Sequence, residues 1–184
     1  MNPDKIIQKY YKPNSKSYRF FIEHSKAVTK KALETAKNVP HLKPNLKFIK
    51  EATMLHDIGI FLTNAPQIGC FGDKPYICHG YLGRKILEKE NLPKHALVCE
   101  RHVGVGFSIQ DIKKDKLPLP KRNMIPISIE EQIICFADKF FSKDEKSLIK
   151  EKSLLRIKQG LTRFGKHKVK IFNNWLKKFK KKNI

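Results

Sequence analysis

The chain has no run of apolar residues long enough to cross a membrane, and its first residues do not form the apolar part of a signal peptide. A membrane span needs about 18 or more consecutive apolar residues, and a secretory leader needs an apolar segment behind its basic start. The N-terminus instead reads Met1-Asn2-Pro3-Asp4-Lys5. We therefore expect a cytoplasmic protein.

Closely paired cysteines are missing as well. The four cysteines stand at positions 70, 78, 99 and 135, and no Cys-x-x-Cys pair occurs. This spacing does not favour a thiolate zinc site or a redox pair, so we expect reduced, buried thiols. The chain also lacks a Walker phosphate-binding loop and a Gly-x-Ser-x-Gly nucleophile motif. P-loop nucleotide binding and serine catalysis of the α/β-hydrolase type are therefore not expected.

Strand patterns are absent too, because no convincing alternation of apolar and polar residues exceeds four residues. Apolar residues recur at helical spacing, between loops that contain proline and glycine. The patterns predict helices over 17–38, 45–56, 79–90, 93–102, 128–138, 147–159 and 167–180. We therefore predict an all-α fold in a single domain, 1–184, with a core over about 17–142 and basic C-terminal helices over about 147–182.

Acidic residues are scarce and disappear from the last part of the chain. There are 39 Lys and Arg against 17 Asp and Glu, which gives a net charge of +22. From Lys152 to Ile184 there are twelve Lys or Arg and no Asp or Glu. A basic surface favours anionic partners, such as phosphate esters, nucleotides, RNA or an anionic membrane surface. A general lysine bias in the source genome would give the same excess of positive charge, so charge alone does not identify the substrate. The sequence also leaves the oligomeric state open.

The last predicted helix carries an apolar stripe along one face. Its members are Val169, Phe172, Leu176 and Phe179, with Trp175 beside them, and lysines fill much of the remaining surface. Such a stripe can pack on a helical bundle, or it can lie on a membrane surface or on RNA. Packing on the bundle is the simpler interpretation.

The most informative stretch that is present is His56-Asp57-Ile58-Gly59. An adjacent His-Asp pair places a neutral nitrogen donor next to an anionic oxygen donor, and both can bind a divalent metal. A bound metal lowers the pKa of water towards neutrality and so supplies a nucleophile. The pair needs further ligands from elsewhere in the chain.

Further candidate ligands recur along the chain at intervals that each span about one helix and one loop. The helices of a bundle can therefore each project one ligand inward. The candidate metal ligands are His24, His56, Asp57, His79, His102 and Asp138. His24, His56, Asp57 and Asp138 suffice for one metal. His79 and His102 allow a second, and the two oxygens of Asp57 could bridge the pair.

The order His…His-Asp…Asp, carried by His24, His56-Asp57 and Asp138, resembles the HD-domain superfamily of metal-dependent phosphohydrolases. The form His-Asp-Ile-Gly resembles its HDIG subgroup, and the resemblance covers about residues 17–142. It implies an all-α bundle with one or two divalent transition metals (Mn, Fe, Zn, Ni or Co) at its centre. It also implies a small phosphorylated substrate, such as a nucleotide.

Two further families resemble parts of this pattern. His79 and His102 are similar to the extra histidines of the two-metal HD-GYP phosphodiesterases. The chain departs from that group with Ile60 in place of Lys and with Gly80-Tyr81-Leu82 in place of Gly-Tyr-Pro, so cleavage of cyclic dinucleotides is not expected. The same ligands also resemble those of the HD-fold di-iron oxygenases. A basic nucleic-acid or membrane-surface binding protein with a structural metal site is a third alternative.

Our leading hypothesis is hydrolysis of a phosphate ester by metal-activated water. Asp57 would hold the metal, and Lys139 and Arg84 would bind the phosphate and offset its charge. Lys139 adjoins Asp138, and Arg84 lies on the helix that begins at His79. Other cations in reach of such a site are Arg101, Lys121 and Arg122.

Overall fold

The computed structural model describes residues 1–145 and 148–180. Within these ranges the chain is all-α, as predicted, with one antiparallel pair of two-residue strands, β1 (Asn64–Ala65) and β2 (Cys70–Phe71). The helices, numbered in chain order, are α1 (Pro3–Tyr10), α2 (Lys16–Lys37), α3 (Leu46–Leu55), α4 (His79–Lys89), α5 (Pro93–Arg101), α6 (Ile109–Lys114), α7 (Ile129–Asp138), α8 (Leu154–Thr162) and α9 (Lys166–Lys178).

Side-chain caps fix where several helices begin. The Ser128 hydroxyl accepts a hydrogen bond from the Glu131 amide at 3.1 Å and starts α7. Ser128 and Glu131 have the sequence spacing of a capping box, but only half of it forms, because the Glu131 carboxylate accepts from the Ile127 amide and not from the Ser128 amide. A full capping box, with both reciprocal bonds, joins Ser108 and Asp111 at α6. Such caps typically contribute about 1 kcal/mol each.

Two short helices were missed by the sequence patterns. α1 follows Asn2, whose side-chain oxygen accepts from the Asp4 amide, and Pro3 fits the first helical position. α6 lies inside the polar, proline-containing segment 108–126, for which the patterns predicted an ordered connection over the surface and no helix. Both helices are shorter than the window of about 11–18 residues over which helical periodicity is read, so periodicity alone gives little signal for them.

The start of α8 was predicted too early, at Ser147. The helix begins at Leu154, where the Ser153 hydroxyl accepts from the Arg156 amide at 3.3 Å. Residues 146 and 147 lie outside the described residues. Only the second half of the predicted range, 147–159, therefore overlaps α8, because Ser153 supplies the cap.

Two clusters of buried apolar residues lie on either side of the His-Asp pair. One combines side chains of α2, α3, α7 and α9, and the other combines side chains of α1, α2, α3 and α4. On α2, Phe21 belongs to the second cluster and Val28 to the first, and His24 lies one turn from each. On α3, just before His56, Ala52 belongs to the first cluster and Leu55 to the second. The polar centre is therefore held between two packed apolar regions.

The apolar stripe of the C-terminal helix faces this core. Phe172, Trp175 and Phe179 are buried, and Phe172 stacks on Phe136 of α7 with ring centroids 5.4 Å apart. Val169 and Leu176 are partly buried against the same cluster. The stripe packs on the bundle, and the lysines of α9 other than Lys168 stay on its outer side.

Gly59 allows the His-Asp turn to approach α4 closely. Its φ of −83° is open to any residue, so its conformation does not require glycine. The requirement is space, since a Cβ at this position would overlap the backbone of His79 and Gly83. This contact holds the His-Asp turn against the first turn of α4, where His79 begins the helix.

Three further features of the chain are its cysteines, the loop between α3 and α4, and the length and composition of its helices. All four cysteines are free and buried. The loop between α3 and α4 forms the two-stranded sheet and contains Tyr76, which lines the cavity described below. Among the helices that the structure describes, none has both the length and the apolar composition that crossing a bilayer requires.

Candidate metal centre

The structure brings all six predicted ligands together at the centre of the bundle. Five separate segments supply them: α2, the turn after α3, the start of α4, the residue after α5 and the end of α7. All are buried, with at most 8% of the residue exposed. The six form two groups that share one aspartate: His24, His56, Asp57 and Asp138, and Asp57, His79 and His102.

In the first group, the Nε2 atoms of the two histidines lie close to one oxygen of each aspartate. Asp57 Oδ2 lies 3.2 Å from the Nε2 atoms of both His24 and His56. Asp138 Oδ1 lies 3.0 Å from His24 Nε2 and 3.5 Å from His56 Nε2. Ligand atoms that sit about 2.1 Å from a metal are about 3.0 Å apart at right angles and about 3.4 Å apart at tetrahedral angles. These spacings therefore match those around a single metal ion.

The second group uses the other oxygen of Asp57. Asp57 Oδ1 lies 3.3 Å from the Nε2 atoms of both His79 and His102. The two Nε2 atoms are 3.1 Å apart. Asp57 thus directs Oδ2 to one group and Oδ1 to the other.

Backbone carbonyls fix which ring nitrogen carries the proton in three of the histidines. The Nδ1 atoms of His56, His79 and His102 lie 2.6–2.7 Å from the carbonyl oxygens three residues earlier in the chain. A carbonyl only accepts hydrogen bonds, so Nδ1–H donates in each case. Hydrogen bonds of this kind are typical of metal-binding histidines, because they leave Nε2 free as the ligand.

His79 and His102 consequently face one another with two lone pairs. Burial lowers the pKa of His79 to about 3, an effect that His102 and Lys143 reinforce and Asp57 opposes. Burial also lowers the pKa of His102, so both rings are neutral at pH 7. Two neutral rings with Nδ1–H leave no proton between their Nε2 atoms, and that arrangement is repulsive unless a cation lies between them.

Several buried atoms of the centre lack hydrogen-bond partners among the described residues. They are Asp57 Oδ1, Asp57 Oδ2, His56 Nε2 and His24 Nδ1. The short contacts to Asp57 are ion-pair distances without hydrogen-bond geometry. Buried polar atoms nearly always find partners, because leaving one unpaired costs about 1–3 kcal/mol. Three of these atoms, the two Asp57 oxygens and His56 Nε2, are ligand atoms of the two groups, and their lack of partners suits metal binding.

The protonation states of the first group also fit a cation site. Burial alone would raise the pKa of Asp57 and of Asp138, but neighbouring cations hold both well below the usual value. For Asp57 these are chiefly His56 and Lys143. Burial disfavours a charged His56, but the two aspartates outweigh it and raise its pKa to about 9. A metal bound here would displace the proton of His56.

Two lysines stand at the edge of the centre, and the sequence patterns indicated only one of them. Lys139 Nζ lies 2.8 Å from Asp138 Oδ2, next to the predicted site. Lys143 Nζ lies 2.6 Å from Asp57 Oδ2, and this contact raises the lysine pKa despite burial. Lys143 follows α7 within a short polar run, so no periodic pattern marked it.

The centre opens into a cavity of about 250 Å³. Tyr76, Lys139, Ser142, Lys143 and Lys152 line it around His79, His102 and Asp138. Burial raises the pKa of the Tyr76 phenol, so that it stays neutral. The cavity therefore joins the ligand cluster to a wall of cationic side chains.

The structure does not bring Arg84 into this cavity. Its guanidinium donates to Glu88 at 2.7 Å and to the buried Glu100 at 2.6 Å. Arg122 also donates to Glu100, and together they tie the segment after α6 to α4 and α5. The other two cations considered, Arg101 and Lys121, do not line the cavity either, and Arg101 pairs with Glu131 at 3.0 Å. Glu100 thus satisfies two of the cations that sequence reasoning placed near a phosphate.

Comparison with known proteins gives one family and several relatives. The model of the family described as HD domain matches residues 21–142, which are 122 of the 184 residues. The chain is 32% identical over 124 residues to the tRNA (cytidine(56)-2'-O)-methyltransferase of Picrophilus torridus. It is 30% identical over 128 residues to the protein of that name in Thermoplasma volcanium.

A third relative, an uncharacterised protein of Methanocaldococcus jannaschii, is 30% identical over 120 residues. The match covers 64% of this chain and 63% of that protein. In the two methyltransferases the match covers 67% and 69% of this chain but only 32% and 33% of theirs. The chain therefore spans about a third of the length of those relatives. No solved structure matches it.

Proposed function

The chain belongs to the HD-domain family, and we propose that it is a metal-dependent phosphohydrolase of the HDIG subgroup that cleaves a phosphate ester. Its His-Asp-Ile-Gly sequence supports the subgroup. One observation carries the proposal: two groups of buried ligand atoms share Asp57 at the base of a cavity walled by lysines. A metal ion held by ligands of this type would activate water, and cations in the wall suit an anionic substrate.

The six ligands are proposed to hold two divalent transition metals. His24, His56, Asp138 and Asp57 Oδ2 would hold the first, and His79, His102 and Asp57 Oδ1 the second. Imidazole and carboxylate ligands suit Mn, Fe, Zn, Ni or Co. When bound, such ions lower the pKa of water and offset charge on phosphoryl oxygens.

The lysines of the cavity would bind and orient the phosphate. Lys139 is held by Asp138 and donates to the His102 carbonyl at 3.3 Å, so its position is fixed. Lys143 contacts the oxygen of Asp57 that a metal would use. A metal ion on Asp57 would compete with this ammonium, and Lys143 would then be available to the substrate. Arg84, committed to two carboxylates, is assigned a structural role in this proposal.

The names of two relatives suggest methyl transfer to tRNA, and we place that activity outside this chain. About two thirds of each methyltransferase lies beyond the match and has room for a separate domain. The matched part here carries a buried His-Asp cluster, which suits metal-assisted hydrolysis. The names do make nucleotides derived from RNA worth including among the substrates tested.

The di-iron oxygenase and the simple binding protein, the two alternatives, predict different observations. The ligands of an oxygenase would be similar, but the cavity wall of lysines favours a phosphorylated substrate. Salt-sensitive binding to RNA or to anionic vesicles without turnover would favour the binding protein. Oxygen consumption with bound iron would favour the oxygenase.

The proposal is tested with Asp57→Asn and a panel of nucleotides and phosphomonoesters in the presence of manganese. Removing an outer partner of a metal ligand typically costs about 10–100-fold in affinity or activity, so losing the shared ligand should cost at least about 100-fold. Elemental analysis measures metal content in parallel. The matched control is Asp115→Asn, the same change at an exposed carboxylate. Full metal content and an unchanged rate in Asp57→Asn would refute the proposal.

A further inference from the structure

A second cavity, of about 430 Å³, adjoins the cavity of the metal centre. The two share Ser142 and Lys152 in their linings, so they lie next to each other at these residues. The second cavity runs along α8, where Arg156 and Arg163 also line it. We call Lys152, Arg156 and Arg163 the α8 cation strip.

The cations of this strip are distinguished by what they do not bind. The other four arginines of the chain, Arg19, Arg84, Arg101 and Arg122, all form ion pairs with glutamates. Among the described residues, no carboxylate pairs with any member of the α8 cation strip. Asp144 is the one carboxylate in the lining, and it accepts a hydrogen bond from the Ser142 hydroxyl at 2.7 Å.

Positive charge at the junction of the two cavities is crowded. Burial lowers the pKa of Lys152 to about 8; Lys139, Lys143 and Arg156 add to this effect, and Asp138 opposes it. Cations that converge on a cavity and outnumber its carboxylates raise the local potential and attract anions. An anion at the junction would relieve the repulsion.

The small size of the cavity at the metal centre also favours a substrate that reaches into the adjoining cavity. Ligand pockets usually enclose about 300–1,000 Å³, and the cavity at the metals encloses about 250 Å³. A substrate that fills a pocket of the usual size would therefore extend beyond the cavity at the metals. The adjoining cavity offers that space, and its wall is cationic.

We propose that the substrate is a small molecule with at least two phosphate groups, one at the metal centre and another on the α8 cation strip. The inference rests on the proposed phosphohydrolase function and adds the substrate class to it. The strip lies beyond residues 21–142, which match the HD domain. The second phosphate would therefore be recognised by a part of this chain outside the matched domain.

The test compares Arg156→Gln/Arg163→Gln with wild type in the full-length protein. Both arginines are exposed and unpaired among the described residues, so their loss should leave the fold intact. The control, Lys166→Gln/Lys170→Gln, removes two exposed charges of α9 that line neither cavity. The probes are adenosine 3′,5′-bisphosphate and adenosine 5′-monophosphate, which differ by one phosphate.

Calorimetry at constant ionic strength should show about tenfold weaker binding of the bisphosphate to the variant, equivalent to about 1.4 kcal/mol. Binding of the monophosphate, and both affinities of the control, should change less than twofold. Equal affinity of variant and wild type for the bisphosphate would overturn the proposal, even if phosphate esters are hydrolysed.

The two hypotheses can fail separately. If the variant loses bisphosphate affinity but no ester is hydrolysed, the strip is supported and the phosphohydrolase assignment fails. If esters are hydrolysed, the variant should raise KM for the bisphosphate about tenfold at unchanged kcat. A fall in kcat with unchanged KM would contradict a role in binding the second phosphate.

Discussion

Asp57 and Asp111 are both largely buried carboxylates between helices, and their surroundings are opposite. Asp111 has a complete set of partners: Oδ1 accepts from His167, and Oδ2 accepts from the Ser108 amide, the Ser108 hydroxyl and Lys168 at 2.7–2.8 Å. Asp57 has histidine nitrogens and an ammonium within 3.3 Å, yet neither of its oxygens has a hydrogen-bond partner among the described residues.

The difference separates a structural carboxylate from one placed for a ligand. Asp111 fastens α6 to α9, because Lys168 also donates to the Gly106 carbonyl at 2.6 Å. Its hydrogen bonds are complete without any ligand. The oxygens of Asp57 and the Nε2 atom of His56 are held in place by the fold but lack hydrogen-bond partners in it, which is the state expected where binding completes the structure.

The largest stability effect is expected at the completed site. Asp111→Asn would leave the buried Lys168 ammonium without its counter-charge, and breaking a buried pair in this way costs about 3–5 kcal/mol. Urea denaturation should show this loss, whereas metal content should stay at the wild-type level. Asp115→Asn, at an exposed position, should change the free energy of unfolding by less than about 0.5 kcal/mol. A loss of metal in Asp111→Asn would break the distinction between the two sites.

Adding metal should stabilise the folded protein through the site at Asp57. The expected gain in the free energy of unfolding is somewhat smaller than the loss expected for Asp111→Asn. At a metal concentration 100 times the Kd, binding raises the free energy of unfolding by about 2.7 kcal/mol. Thermal denaturation with and without manganese should therefore show a rise in Tm for wild type and for Asp111→Asn. Asp57→Asn should show no rise. An equal rise in all three proteins would place the stabilising metal elsewhere.

The contribution of Asp111 should also depend on pH in a defined direction. Hydrogen bonds and the Lys168 charge hold the pKa of Asp111 below its usual value, although burial opposes this. The folded state therefore favours the ionised carboxylate, and the stabilisation is present above the unfolded pKa of about 3.9. It is lost as pH falls through the lower, folded pKa. The difference between wild type and Asp111→Asn should be largest near pH 7 and narrow below pH 4.

The smallest expected effect concerns the lysine that contacts Asp57. Lys143→Met removes the ammonium that competes with a metal for Asp57 Oδ2, so manganese should bind about tenfold more tightly, or about 1.4 kcal/mol. Calorimetric titration of the metal-free protein measures this change. Lys150→Met, at an exposed lysine, is the control. Weaker metal binding in Lys143→Met would mean that the lysine supports the ligand cluster rather than competing with metal.

The metal ligands were predictable because their residue types are unusual inside a protein and recur at intervals of about one helix and one loop. His24, His56, Asp57 and Asp138 follow this pattern, and the structure brings them together. The cationic wall was harder to predict. Arg84 and Lys143 have similar chemistry, but Glu100 binds one and Asp57 attracts the other. A linear pattern cannot show which carboxylate a long, flexible side chain will meet.

The sequence by itself determined the helical class, most of the helix positions and the identity of the candidate ligands, because these depend on periodicity and on local residue chemistry. Only the tertiary structure decided how Asp57 divides its two oxygens between two groups of histidines, and which lysines wall the cavity. It also decided that Asp111 is satisfied and Asp57 is not. Those outcomes depend on distances between segments that are far apart in the chain. The packing of the two apolar clusters around the centre sets these distances.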